Sequence, residues 1–140
     1  MSTILLRHAS AGDRHAWDGD DRLRPLDEEG YGQALALADL LRDRGIARVV
    51  SSPYVRCVES VEPLAEALGL AVELDPRLAE GEGGAGALAL LAELGDGVAC
   101  THGDVVEAVI GRTLDKGAAA VVELAGGGAH VVELLPVPSS

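Results

Sequence analysis

Aromatic residues are scarce: they make up 2% of the 140 residues, and Phe is absent. A core without large rings must be filled by Ala, Leu and Val, which favours close packing of helices on a sheet. Only two cysteines occur, Cys57 and Cys100, far apart and without metal-like spacing. That argues against a disulfide scaffold, and we read both as reduced core or near-site thiols of a cytoplasmic protein. No apolar run approaches the roughly 20 residues of a membrane span. The N-terminus lacks a basic segment followed by a long apolar stretch, so neither a membrane partner nor a signal peptide is expected. Positive charge is also short, with 11 Lys and Arg against 23 Asp and Glu and a net charge of −12. Such a balance argues against a nucleic-acid polymer as partner, because a phosphate backbone demands a basic face. Residues 1–24 are the exception: Arg7, Arg14, Arg22 and Arg24 balance Asp13, Asp18, Asp20 and Asp21. An acidic body with a neutral, arginine-bearing end repels large polyanions yet can hold one small anion.

What is present is a regular alternation of short apolar runs and helical patterns. Strands are expected near 2–6, 47–51, 71–74, 97–101, 119–124 and 129–134, and helices near 28–44, 53–68, 86–94 and 103–112. In "YGQALALADLLRDRG", Ala34, Leu37, Ala38 and Leu41 share one face and Gly45 is a stop. Ser51-Ser52-Pro53 reads as a helix cap followed by a first-turn proline. Gly126-Gly127-Gly128 between two apolar runs predicts a hairpin. The expected fold is α/β: one domain over 1–140, a three-layer sandwich with a mostly parallel central sheet, helices on both faces and a C-terminal hairpin.

In open α/β sheets ligands bind beyond the carboxyl ends of the strands. The first strand ends in Arg7-His8, the second runs through Ser51-Ser52-Pro53 to Arg56, and the fourth ends in Thr101-His102-Gly103. One His at a strand end is most simply a structural residue. Two arginines and two histidines from three strand ends, meeting at one rim, suit phosphoryl transfer. Guanidinium forks match phosphate oxygens, helix N-termini near Pro53 and Gly103 add backbone donors, and a neutral imidazole attacks phosphorus. Ala9-Ser10-Ala11 leaves space beside His8, with Ser10 as a candidate substrate contact.

These motifs resemble the histidine phosphatase (phosphoglycerate mutase-like) superfamily. "LLRHA" is similar to its Arg-His-Gly signature with Ala9 in place of Gly, "SSPYVRC" to its Ser-x-x-x-Arg motif, and "THGD" to its second histidine motif. The resemblance implies a phosphorylated nucleophile at His8, phosphoryl-binding Arg7, Arg56 and His102, and no metal or other cofactor. Ala9 gives up a glycine's backbone freedom, and Ser60 stands where many relatives carry Thr.

Expelling an alkoxide needs a proton donor. The family often takes it from a Leu-x-Glu segment, which here is Leu78-Ala79-Glu80, with Glu82 in reserve. The alternative is a solvated glutamate in a glycine-rich loop. The G-x-G-x-x-G spelled by residues 81–86 lies too far from a strand for a dinucleotide fingerprint. Length and "RLRPLDEEG" look most like the SixA-type phosphohistidine phosphatases, and then like the domains accompanying some Nudix hydrolases. The expected substrate is accordingly phosphohistidine of a protein, with small phosphate esters or nucleotides as the alternative and a non-catalytic phosphate-binding module as the other. The partner is thus a phosphorylated protein or a small phosphorylated molecule, with the oligomeric state left open. Arg24 is either a substrate-side anion contact or a surface arginine. Arg14 and Arg22 read as solvated, His15 and His130 as surface or sheet residues. Trp17 reads as an entrance residue or packing anchor, and "DGDD" as a calcium-like run lacking its later ligands.

Overall fold

A computed structural model describes residues 2–138, so the termini of the expected 1–140 domain, Met1, Ser139 and Ser140, lie outside the described residues. The elements run β1 (Thr3–Arg7), α1 (Glu28–Leu41), β2 (Arg48–Ser51), α2 (Val55–Leu68), β3 (Val72–Leu74), α3 (Ala85–Leu94), β4 (Gly97–Thr101), α4 (Gly103–Ile110), β5 (Ala119–Ala125) and β6 (Gly128–Leu135). They form one sheet in the order β3-β2-β4-β1-β5-β6. The first four of these strands are parallel to one another, while β5 and β6 are antiparallel to their neighbours. No described helix is long and apolar enough to cross a membrane.

The central strands are apolar throughout because helices cover both faces. Ile4 and Leu6 of β1, Val49 of β2 and Val98 and Cys100 of β4 pack with α1 and α2 on one side. Their neighbours Leu5, Val50 and Ala99 pack with α3 and α4 on the other. Gly126 and Gly127, at φ +61° and +78°, form the two-residue turn joining β5 to β6. Two consecutive positive φ values are what a tight hairpin demands and what a side chain resists.

Three helix ends differ from the sequence expectation. α1 stops at Leu41 rather than near 44, and α4 at Ile110, where Gly111 takes the left-handed conformation as its cap. α2 begins at Val55, not 53, and Tyr54 occupies its N-cap without a side-chain bond. Ser51 belongs to β2 instead of capping a helix. The Ser52 hydroxyl faces His102 and also accepts the N–H of Tyr54 at 3.3 Å, outside the helix proper.

The loop after β1 is tied down by Asp27, the N-cap of α1. Its Oδ1 accepts the N–H of Gly30, and its Oδ2 accepts both the Ser10 hydroxyl and the Gly12 N–H. Gly30 lies against this loop so closely that a Cβ there would sit 1.9 Å from the Ser10 carbonyl oxygen. Gly30→Ala should therefore destabilise the fold by about 2 kcal/mol through overpacking, although alanine is the better helix former. Urea unfolding measures this, and an unchanged midpoint would contradict the contact.

Candidate active site

The register of β1 against β4 sets Arg7 opposite Thr101, and the N–H of His8 donates to the Thr101 carbonyl at 3.0 Å. His8 and His102 are thus brought side by side just past two adjacent strand ends, with ring centroids 5.5 Å apart at 67°. The same edge receives Arg56 from the first turn of α2 and Glu80 from the loop after β3. All three strand ends singled out in the sequence do meet.

His8 is 5% exposed. Its Nδ1 lies 2.8 Å from the carbonyl oxygen of Ala9, which only an Nδ1–H can approach as a donor. Nε2 is left with a free lone pair. Burial pushes the imidazole pKa from 6.5 down to about 3; the bond to Ala9 opposes that, and the charges of Arg56 and Arg7 add to it. The backbone behind the ring is fixed by Ala9 N–H donating to Ser60 Oγ at 2.8 Å and Ser60 Oγ donating to the Arg56 carbonyl at 2.7 Å. The Ala9 methyl is fully buried with Ala11, Leu26 and Ala34, and among the described residues none other than glycine has a positive φ. The departure from glycine at this position is therefore accommodated without backbone strain.

Around His8 are three cationic or polar side chains, Arg56 and His102 buried and Arg7 half-buried. Arg7 donates through Nη1 to the Leu114 carbonyl at 2.8 Å and lies flat against Gly103, where a Cβ would come within 2.9 Å of the guanidinium carbon. Arg56, fully buried, donates to the Asp21 carbonyl at 2.8 Å, to Asp21 Oδ2 at 3.1 Å and to Glu80 Oε2 at 2.7 Å, and sits 4.9 Å over the Tyr54 ring. His102 holds Ser52 Oγ at 2.8 Å through Nε2, and its Nδ1 is 3.6 Å from Glu80 Oε2. Three nitrogens in this shell are buried without a partner: Arg7 Nε, Arg56 Nε and His102 Nδ1. Left unpaired, such groups each cost about 1–3 kcal/mol.

A cavity of about 700 Å3 opens beside His8; its lining includes Arg7, His8, His102, Gly103, Glu80 and Arg24, whereas the fully buried Arg56 is not part of it. Glu82, the reserve acid, is exposed and not in the lining, whereas Glu80 is held there by Arg14 and Arg56. Ser10 is a correction: its hydroxyl donates to Asp27 and its N–H to Gln33, so it braces the loop and does not line the cavity. Arg24 is no surface arginine. It is 6% exposed, bonded to Asp21 Oδ1 at 2.9 Å and to the Ala11 carbonyl.

Arg14 and His15, read from the sequence as solvated or surface residues, and Lys116, which carried no signal there, also line the cavity. They sit in loops without periodicity, so only the folded path of the chain brings them in. "DGDD" is occupied differently from a cation loop: Asp20 pairs with Arg22, and Asp21 with Arg14, Arg24 and Arg56. Partial burial works to raise the Asp21 carboxyl, but Arg24, Arg56 and Arg14 outweigh it and hold it below the usual range. Trp17 donates its indole N–H to the Asp20 carbonyl and does not line the cavity. Among the described residues, no group of three or more His, Cys, Asp or Glu side chains is arranged to hold a metal.

The family model of the histidine phosphatase superfamily (branch 1) matches residues 3–94. An 8-oxo-(d)GTP phosphatase of Mycolicibacterium smegmatis is 35% identical over 116 residues, which cover 78% of this chain and 36% of that protein. The matched region thus spans well under half the length of that curated relative. Among solved structures, the protein histidine phosphatase SixA complexed with tungstate superposes with a TM-score of 0.77 at 24% identity, covering 97% of both chains. A mycobacterial glucosyl-3-phosphoglycerate phosphatase in complex with VO3 gives 0.71 at 18%, covering 98% of both. At these identities the structures speak for the fold alone.

The depressed pKa of His8 has a consequence for stability. Above pH 6.5 the ring is neutral in both folded and unfolded chains and adds no pH dependence. As the pH falls from 6.5 toward about 3, only the unfolded chain takes up the proton. The folded state then loses up to about 1.4 kcal/mol per pH unit. Urea unfolding between about pH 7 and pH 4.5 should show a steeper loss for the wild type than for His8→Ala. Equal slopes would mean that the buried ring is charged.

Proposed function

Because the chain belongs to the histidine phosphatase superfamily, we propose that it is a phosphatase that passes a phosphoryl group through His8 to water, with phosphohistidine of a protein as its substrate. The observation that carries the reading is the set of unpartnered buried nitrogens on Arg7, Arg56 and His102 around a neutral, buried imidazole. A phosphoryl group offers the acceptor oxygens those nitrogens lack. It also brings the negative charge that a cluster of guanidiniums stabilises in a low-dielectric site.

His8 Nε2 attacks phosphorus while the leaving group departs with its bonding electrons, forming a phosphohistidine on the enzyme. Arg7, Arg56, His102 and the backbone at Gly103 hold the equatorial oxygens, the last at the N-terminus of α4. Water then attacks the phosphorus and regenerates the imidazole. The bond from Nδ1 to Ala9 keeps the attacking lone pair aimed and the ring in one tautomer.

The leaving group decides between substrates. Both oxygens of Glu80 lie within 2.9 Å of guanidinium nitrogens, so in this arrangement it accepts hydrogen bonds rather than donating one. Imidazole, with a pKa of about 6.5, departs with little assistance, and an alkoxide does not. That favours phosphohistidine and agrees with the SixA-like fold. The second reading, a small phosphate ester or nucleotide, is favoured by the 8-oxo-(d)GTP phosphatase relative and by the position of Glu80 on the cavity wall. A phosphoryl group that takes over Arg56 would leave Glu80 held by Arg14 alone, one cation fewer against its acting as an acid.

Incubation with a phosphohistidine peptide should leave an acid-labile phosphoenzyme, and His8→Ala should lose more than about a thousandfold in turnover. Retention of full activity in His8→Ala would sink the proposal. On a panel of phosphohistidine peptide, 8-oxo-dGTP and a sugar phosphate, the peptide should be hydrolysed fastest. Glu80→Gln should leave that rate within a few-fold while costing about a hundredfold on the esters. A hundredfold loss on the peptide as well, or a nucleotide preferred over it, would move the assignment to the second reading.

A further inference from the structure

We infer that Ser52 is a positioning residue that sets the tautomer of His102, keeping the proton on Nδ1 so that a neutral ring presents an N–H donor to the anion beside His8. The phosphatase reading supplies the identity of that anion; the tautomer itself follows from hydrogen-bond accounting alone.

Ser52 is fully buried at the end of β2, and its hydroxyl has two neighbours. The backbone N–H of Tyr54, at 3.3 Å, can only donate. His102 Nε2, at 2.8 Å, is the one acceptor available for the hydroxyl proton. If Nε2 carried its own hydrogen, Ser52 Oγ would receive two donors and its O–H would be stranded in a fully buried position. A stranded buried donor is disfavoured strongly enough to decide the matter. Ser52 therefore donates to Nε2, and the ring proton resides on Nδ1.

The surroundings of the ring agree. Nδ1 is buried, unpartnered and 3.6 Å from the carboxylate oxygen Glu80 Oε2, an orientation suited to N–H and unsuited to a lone pair. The Tyr54 ring packs edge-on at 4.6 Å and His8 at 5.5 Å, which fixes the plane. On the Nε2 side, Cys57 Sγ lies at 3.6 Å, a weak second partner. The two imidazoles are thus locked in opposite roles by one short contact each. Ala9 leaves His8 with a free Nε2 lone pair, whereas Ser52 leaves His102 with a free Nδ1 donor. Loss of the Ser52 hydroxyl would let His102 turn its proton to Nε2 and face an oxyanion with a lone pair.

Long-range 1H–15N correlation of the histidine rings in the full chain near neutral pH reads the tautomer directly. The expected result is a pyrrole-type Nδ1 and a pyridine-type Nε2 for His102; a pyrrole-type Nε2 overturns the inference. Ser52→Ala should show a mixture of tautomers and about tenfold weaker inhibition by orthovanadate. A residue that only supports packing would lower the melting temperature and leave the tautomer unmoved, and that result too would overturn the assignment. Should Ser52→Ala not fold, the wild-type hydroxyl resonance decides: a coupling from the Ser52 proton to His102 Nε2 supports the inference, and its correlation to another acceptor overturns it. If orthovanadate does not bind the wild type while Nδ1–H is present, the phosphatase reading fails and the tautomer assignment stands.

Discussion

The pairing of β1 with β4 is the constraint on which the site depends. With Arg7 level with Thr101, the chain leaves both strands at the same height, and the next residue of each is a histidine. Neither side chain then has freedom to choose its place. His8 is bound through its backbone N–H to Thr101 and through its carbonyl to Gly117, and His102 serves as the N-cap of α4. A shift of one residue in this register would separate the rings and send alternate side chains to the opposite face. Both faces of β1 are packed, so such a slip would also bury the wrong residues, and the core enforces the geometry of the site.

Collecting cations at one sheet edge carries an electrostatic cost, and the fold meets it with carboxylates brought from distant loops. Arg56 has no exposure, and an unpaired buried guanidinium would be strongly destabilising. Asp21 reaches it from the loop after β1 and Glu80 from the loop after β3. Arg14 and Arg24 secure these acids in turn. The result is a network in which carboxylates hold Arg56, Arg14 and Arg24 while a few buried donors are left over. Those few, on Arg7, Arg56 and His102, are what distinguishes a site prepared for an anion from an ordinary ion-pair cluster.

Much of this could be read from the residues because the relevant signals are local. Apolar runs marked the strands to within a residue or two, and "GGG" marked the hairpin, since strand burial and positive φ leave compositional traces. Arg7, His8, Arg56, His102 and Gly103 were legible because the strand-end rule places them together once the alternation is recognised. Lys116 left no trace, and Arg14 and His15 read only as solvated or surface residues. Their positions depend on how the loops between elements fold back, and no periodicity encodes that. Ser10 was misjudged for the same reason: its proximity to His8 in the chain says nothing of the Asp27 carboxylate, which turns it away from the cavity. The start of α2 was misplaced because Ser51 and Ser52 are good caps locally, whereas β2 and His102 hold them in the tertiary fold.

The sequence by itself determined the layered α/β class, the order of strands and helices, and which histidines and arginines meet at the strand ends, because burial patterns, turns and strand-end motifs are properties of short stretches. Only the tertiary structure decided which carboxylate stands at the site, that Arg24 is buried, and which nitrogen of each histidine is held in a hydrogen bond. Those outcomes rest on contacts between residues tens of positions apart, and on a single hydroxyl or carbonyl lying within hydrogen-bond distance of a ring.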